Sequence, residues 1–255
     1  MDEIPLMYDR ILLTNDDGIN APGMAVLRRV AEQLAHEVWI VAPAYDQSGT
    51  SHSLSLHEPL RVHQTETRCY AISGTPGDCV VWATRYLMSN NPPDLLLSGI
   101  NRGANIGAES VLSGTVGAAM TGMLLNIPSI ALSQVFSKRD EIKWDTAEVA
   151  ALKALRQVLR KPWAGSCLNI NIPDVPPEKL GEIVFTEQGK GNLEDIRITS
   201  HTDPRAECYF WISLSRSILT SDSGSEAAAI INGNITITPL QFERTQKNVL
   251  RKLRN

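Results

Sequence analysis

The strongest constraint on the fold is an alternation of short apolar runs with segments of helical period. The runs at residues 11–14, 38–41 and 95–97 have the length and composition of buried strands. Between the first two, Pro22 opens a stretch with apolar residues on one helical face, and proline suits a first helical turn. A strand, a helix and a strand within about forty residues predict a right-handed parallel crossover.

The same alternation continues to residue 172. We predict helices over residues 76–88 and 114–125, and strands over 130–132 and 168–172. Before a further helix ending near Val158, Asp145 and Glu148 have the spacing of a capping box. Strands that alternate with helices favour an α/β fold with a doubly wound, mostly parallel sheet.

Two regions depart from this pattern and indicate hairpins. Residues 53–73 carry apolar side chains in alternation without helical spacing, which predicts a β-hairpin excursion. After about residue 181 the composition changes to short alternating runs, such as 208–212 and 234–239. We therefore divide the chain into an α/β domain, residues 1–180, and a C-terminal hairpin and tail region, residues 181–255.

Charge and cysteine content narrow the classes of partner. With 24 Lys and Arg against 28 Asp and Glu, the net charge of −4 argues against DNA or RNA duplex binding and against an anionic membrane surface. The four cysteines form no CxxC pair, so a zinc site is not expected and reduced, buried thiols are the simplest interpretation. The first ten residues lack the pattern of a signal peptide, and we expect a cytoplasmic protein.

The longest uncharged stretch runs over residues 110–137, 28 residues in all. Its length would permit a membrane span. Small and polar residues interrupt it, however, and Asn126 and Pro128 indicate a break between two elements. We predict a buried helix followed by a buried strand.

Adjacent carboxylates follow the first predicted strand. Asp16 and Asp17 repel each other, and a divalent cation would remove that penalty; a turn in which both cap backbone amides is the alternative. Ser48 and Asn101 also follow predicted strands and offer neutral oxygens, although either could equally serve its own loop. Because ligands bind at the carboxyl ends of such strands, the four could form an all-oxygen site, which suits Mg²⁺, Mn²⁺ or Ca²⁺.

A candidate anion site precedes the apolar helix at residues 114–125. Ser113, Gly114 and Thr115 place free amides and two hydroxyls at its N-terminus, where the helix dipole favours phosphate. A plain Ser or Thr N-cap is an equal alternative. The glycines at 99, 103 and 107 fit neither the dinucleotide-binding nor the P-loop pattern, and no serine lies in G-x-S-x-G.

Several motifs in order resemble those of the SurE (survival protein E) nucleotidases, over nearly the whole chain. They include residues 11–23, 41–43 with 47–49, 74–80, 98–107, 113–120, 203–205 and 235–240. The resemblance implies a Rossmann-like fold with C-terminal β-hairpin extensions that exchange between subunits of a homodimer or homotetramer.

The resemblance also implies a metal-dependent phosphomonoesterase that acts on nucleoside 5′- or 3′-monophosphates. Carried over by motif, Asp16, Asp17, Ser48 and Asn101 would hold one Mg²⁺ or Mn²⁺ ion per subunit, with Ca²⁺ also acceptable. Asn105, Ser113, Gly114 and Thr115 would bind phosphate, and Asp16 would orient or deprotonate the attacking water. The alternatives are an aspartyl-phosphate phosphatase with Asp16 as nucleophile, and a non-catalytic nucleotide-binding protein.

Overall fold

A nine-stranded sheet forms the centre of the molecule. The computed structural model describes residues 6–217 and 224–254. Along the sheet the strand order is β3-β4-β2-β1-β5-β6-β7-β11-β8, and β9 and β10 form a separate two-stranded sheet. In chain order the strands are β1 (Tyr8–Thr14), β2 (Ala35–Pro43), β3 (Val62–Glu66), β4 (Cys69–Ile72), β5 (Leu95–Arg102), β6 (Ser129–Gln134), β7 (Cys167–Ile172), β8 (Ile183–Phe185), β9 (Leu193–Thr202), β10 (Cys208–Arg216) and β11 (Ile235–Leu240).

The chain reverses its direction of travel across the sheet between β1 and β5. From β1 it proceeds through β2 to β4 on one side, and it then returns to place β5, β6 and β7 on the other side, all parallel to β1. The edge strand β3 is antiparallel to β4, and β11 is antiparallel to β7. The β1/β5 reversal is the topological switch point at which open α/β sheets bind ligands.

Helices cover both faces of the sheet because its strands are apolar on both sides. On β1, Ile11 and Leu13 pack in a cluster with α1 and α4, whereas Leu12 belongs to the opposite cluster with α2 and α3. Successive side chains of a strand lie on opposite faces, so one apolar run supplies both layers. The helices are α1 (Pro22–Ala31), α2 (Pro76–Trp82, extended by a π-helical turn, Ala83–Leu87), α3 (Gly114–Leu124), α4 (Trp144–Val158), α5 (Glu226–Ile231) and α6 (Lys247–Arg254).

The predicted α/β class, the mostly parallel sheet and a C-terminal hairpin are confirmed. Residues 110–137 fold as the end of a 3₁₀ segment, α3 and β6, with a buried helix and strand in place of a membrane span. No helix within the described ranges, 6–217 and 224–254, is long and apolar enough to cross a bilayer. Residues 1–5, half of the segment used to judge a signal peptide, lie outside those ranges.

The prediction of a capping box at Asp145 and Glu148 was wrong. The helix begins two residues earlier than that box requires, at Trp144, and its N-cap residue, Lys143, makes no side-chain capping hydrogen bond. Glu148 instead accepts hydrogen bonds from the guanidinium of Arg29 at 2.6 and 2.9 Å, which joins α4 to α1. Asp145 lies in the first turn, where its charge still complements the helix dipole.

Two further expectations about the second half of the chain need correction. Residues 234–239 do not form a hairpin: β11 pairs with β7 and β8 in the main sheet, and Thr236 is as buried as Ile235 and Ile237. A strand buried on both faces belongs inside a sheet. Cys208 is exposed rather than buried, because it lies on the β9–β10 hairpin, whose residues are mostly exposed.

Candidate active site

A cleft of about 430 Å³ opens at the switch point between β1 and β5. Five of the eight residues predicted for the site line it, contributed by the loops after β1 and β2, by the end of β5 and the loop that follows it, and by the start of α3. These five are Asp16, Ser48, Asn101, Asn105 and Ser113. The topology therefore brings together side chains that are up to 97 positions apart in the sequence.

Asp16 lies at the floor of this cleft and is 4% exposed. The Thr115 hydroxyl donates to its Oδ1 at 2.5 Å, so the first turn of α3 contacts the carboxylate directly. Gly114 permits this approach, because a Cβ built there would lie 2.8 Å from the Asp16 Cβ and 3.0 Å from its Oδ2. Gly114 and Thr115 thus contact the Asp16 side chain and do not themselves line the cleft.

Burial raises the pKa of Asp16 to about 6, and the neighbouring Asp17 charge adds to that effect, while hydrogen bonds from Thr115 oppose it. Among the described residues, no basic side chain forms an ion pair with Asp16. A buried carboxylate without a countercharge is costly, and a bound cation relieves that cost. The surroundings of Asp16 therefore favour a bound divalent ion over the alternative, a turn in which the carboxylate only caps backbone amides.

Asp17 does not line this cleft but lines a neighbouring one of about 360 Å³, together with Arg102. Its Oδ2 accepts from the Arg102 backbone N–H at 2.8 Å, and its Oδ1 is 3.6 Å from the Arg102 guanidinium. Burial raises the pKa of Asp17, and both contacts with Arg102 oppose that rise. Arg102 also pairs with Asp46 at 3.4 Å, so it is the cation that links the two clefts.

Ser48 and Asn101 supply the neutral oxygens at the cleft. Ser48 is exposed in the loop after β2, and its backbone N–H donates to Asp46 Oδ1 at 2.9 Å. Asn101 donates its Nδ2 to the Gly103 carbonyl at 2.9 Å, which fixes the amide and leaves Oδ1 as an acceptor. In the described parts of the chain no three His, Cys, Asp or Glu side chains cluster in a metal-binding arrangement. A cation here would depend on carboxylate, hydroxyl and amide oxygens, the donor set of Mg²⁺ and Ca²⁺.

Asn105 is held by a buried amide network that extends from β7. Its backbone N–H donates to Asn171 Oδ1 at 2.9 Å, and its carbonyl accepts from Asn169 at 2.7 Å and Asn171 at 3.1 Å. Its own Nδ2 donates to the Ser133 hydroxyl at 2.8 Å. These four hydrogen bonds fix the position of Asn105 at the cleft wall.

The start of α3 combines a cap with a helix dipole. The Ser113 Oγ accepts from the Val116 N–H at 3.1 Å and so serves as the N-cap. The Thr115 hydroxyl is bonded to Asp16, whereas the Ser113 oxygen only accepts as the cap, so the Ser113 O–H, the backbone amides and the helix dipole remain to attract an anion.

The far wall of the cleft comes from the β9–β10 hairpin and its flank. Asn192, Leu214 and Arg216 line it. The Arg216 Nε donates to Glu109 Oε2 at 2.7 Å, and Glu109 is only 5% exposed.

Sequence reasoning missed Arg102, the amide network and the Glu109–Arg216 pair. Arg102 directly follows Asn101, and polar residues at 169 and 171 within an otherwise apolar strand were a visible signal of a buried network. The pair of residues 109 and 216 has no local signal, because 107 positions separate them.

Comparison with known proteins gives consistent similarities. The family model described as Survival protein SurE matches residues 11–195. The chain is 52% identical over its whole length to 5′-nucleotidase SurE 1 of Burkholderia lata, covering 98% of that protein. It is 44% identical to 5′-nucleotidase SurE of Azorhizobium caulinodans over 96% of this chain and 97% of the relative. The crystal structure of SurE protein from Aquifex aeolicus superposes with a TM-score of 0.82 at 35% identity, over 96% of this chain and 98% of that one.

Proposed function

This chain belongs to the SurE family, and we propose that it is a metal-dependent nucleotidase that hydrolyses nucleoside 5′-monophosphates, and also 3′-monophosphates, to nucleoside and phosphate. The names of its relatives, 5′-nucleotidase SurE, support this activity over nearly full-length alignments. The observation that carries it within the molecule is Asp16: a buried carboxylate with no basic partner among the described residues, placed at a helix N-terminus in the switch-point cleft.

We assign one divalent ion per subunit, Mg²⁺ or Mn²⁺ with Ca²⁺ also accepted, to Asp16, Asp17, Ser48 and Asn101. All four offer oxygen ligands, and three of them line the cleft. Asp17 adds a second carboxylate whose pKa is raised by burial. A divalent ion bound here would supply Lewis-acid polarisation of the phosphoryl group.

The phosphate site comprises Asn105, Ser113, Gly114 and Thr115. The backbone amides at the start of α3 would donate to the phosphoryl oxygens, and the helix dipole would favour their negative charge. Asn105, fixed by Asn169 and Asn171, would hold the phosphoryl group without reorganisation of the site.

Asp16 would orient or deprotonate the attacking water in this scheme. Thr115 keeps the carboxylate in one orientation, which positions it for contact with a bound water. Water attack on phosphorus breaks the bond to the nucleoside oxygen, which leaves with a proton.

We further propose a cytoplasmic homodimer or homotetramer in which residues 1–180 carry the catalysis and residues 181–255 the association. The β9–β10 hairpin exposes Phe210, Trp211 and Ile212 on one strand and Ile196 and Ile198 on the other. Ile196, Ile198, Phe210 and Ile212 share one face of the hairpin, because directly paired and alternate residues lie on the same side, and Trp211 lies on the other. An exposed apolar face of this kind marks a protein–protein contact, and a second copy would cover it.

Phosphate release from a panel of nucleoside monophosphates tests the proposal most directly. The protein is first treated with EDTA, and Mg²⁺, Mn²⁺ and Ca²⁺ are then restored singly. We expect no turnover after chelation and recovery with Mg²⁺ or Mn²⁺. Tight nucleotide binding with no phosphate release in any metal would contradict the proposal and favour a non-catalytic binding protein.

A further inference from the structure

The Glu109–Arg216 ion pair presents a fixed guanidinium to the far wall of the cleft. Arg216 is about half exposed, whereas Glu109 is nearly buried, so the carboxylate anchors the arginine from below. Arg216 donates to Glu109 through its Nε, so the N–H groups of its two terminal nitrogens can donate to a ligand. An arginine held in this way is preorganised to bind an acceptor.

The anchor of Arg216, Glu109, lies four residues before the phosphate site at Ser113. Glu109 belongs to the 3₁₀ segment Gly107–Leu112, which leads directly into Ser113 at the start of α3. With a rise of about 2 Å per residue, four residues along this segment place the Glu109 backbone about 8 Å from the helix terminus. A substrate whose phosphate lies at Ser113 would therefore extend its organic part along this segment, toward Arg216.

The surroundings of Arg216 suit a nucleobase. Leu112 and Leu214, both partly exposed, line the same cleft and offer apolar surface for the flat faces of a ring. At the edge of such a ring, an arginine fork forms its best-matched pair of hydrogen bonds with the O6 and N7 acceptors of a guanine. The 6-amino group of adenine is a donor and cannot accept from the same fork.

We infer that Arg216, held by Glu109, is a specificity-determining residue that contacts the O6 and N7 edge of a 6-oxopurine nucleotide. The inference rests on the proposed nucleotidase activity and deepens it. It predicts that GMP and IMP are hydrolysed with at least about tenfold higher kcat/KM than AMP, the order of discrimination that one bidentate arginine contact provides.

The test compares kcat/KM for GMP, IMP, AMP and p-nitrophenyl phosphate in the wild type and in Arg216→Lys. Lysine keeps a cation beside the buried Glu109, so the fold is preserved, but it loses the planar fork. We expect the GMP to AMP ratio to fall to within about twofold of unity. Hydrolysis of p-nitrophenyl phosphate, which has no nucleobase, should remain within about twofold of wild type.

Arg197→Lys provides the matched control. Arg197 lies on the same hairpin and also pairs with a carboxylate, Asp195, but it is exposed and does not line the cleft. Its GMP to AMP ratio should equal that of the wild type.

The outcomes separate this inference from the proposed activity. A wild-type protein that releases phosphate from nucleotides without preferring GMP and IMP, or an Arg216→Lys ratio equal to wild type, would overturn the inference alone. Equal losses for p-nitrophenyl phosphate and GMP would also overturn it, since Arg216 would then serve the phosphate or the fold. No phosphate release from any substrate would defeat the proposed activity itself.

Discussion

The closest steric constraint at the site concerns Gly114, and a single methyl group tests it. In Gly114→Ala the new Cβ would lie 2.8 Å from the Asp16 Cβ, 3.0 Å from Asp16 Oδ2 and 3.1 Å from Thr50 Oγ1. Ordinary carbon–carbon contacts need about 3.5–4.0 Å, so Asp16 and the start of α3 must separate by about 1 Å.

The expected effect on activity is larger than that on stability. Overpacking costs about 1–3 kcal/mol, and up to about 1 kcal/mol of that is returned by the higher helix propensity of alanine. A displacement of about 1 Å at a catalytic carboxylate, by contrast, lowers turnover by about 100-fold. We expect Gly114→Ala to unfold only slightly below the wild-type temperature and to lose about two orders of magnitude in kcat.

The assay measures kcat with a nucleoside monophosphate in saturating Mn²⁺, together with the thermal midpoint. Gly165→Ala is the control: within the described ranges, no atom beyond its chain neighbours lies within 4 Å of the new Cβ, but its φ of +80° makes alanine strained. It should lower stability by about 1–2 kcal/mol while leaving kcat unchanged. If Gly114→Ala keeps wild-type kcat, then contact between α3 and Asp16 does not position the carboxylate for catalysis.

Three further predictions follow from single contacts. Asp16→Asn should lower phosphate release by at least ~100-fold, yet unfold no more easily than wild type in EDTA because no charge is desolvated; near wild-type release would contradict the assignment. At Glu226, which accepts from the Gly107 N–H at 2.5 Å, burial raises the pKa, so the native protein binds this proton more tightly than the unfolded chain and loses stability as the pH rises through that interval. Glu226→Gln keeps an acceptor without the charge, so its urea midpoint should be at least that of wild type at about pH 8, and any gain should disappear in acid. Glu226→Ala removes the acceptor and should lower the free energy of unfolding by about 1–3 kcal/mol; equal urea midpoints for the two variants would exclude this role. Ile212→Glu, at a side chain 72% exposed on the apolar face of the hairpin, should shift the mass from light scattering toward the monomer, and an unchanged mass would place the subunit contact elsewhere.

Much of the fold could be read from local sequence because it depends on periodicity. Residues 11–14 and 95–97 are apolar throughout, and they became β1 and β5, buried between two helical layers. Ser113 before an apolar helix became its N-cap. These features depend on neighbours within about four positions, which is the range of helix and strand rules.

Local rules failed where a distant partner decided the outcome. Glu148 has capping-box spacing, but Arg29 on α1 lies within hydrogen-bond distance of it. Residues 234–239 alternate like a hairpin strand, but the open edge of β7 accepted them into the main sheet. In both cases a long-range contact offered more burial or a stronger charge pair than the local alternative.

The sequence by itself determined which residues could perform the chemistry: two adjacent carboxylates after a strand, neutral oxygens after two others, and a helix start that favours an anion. Only the tertiary structure decided which of these residues are buried and which partners they contact. It buried Asp16 against Thr115, turned Asp17 toward Arg102, and brought Arg216 from the hairpin to Glu109. The reason is physical: the residue types at a strand end are local facts, whereas burial and the choice of charge partner depend on surfaces that meet only after the chain has folded.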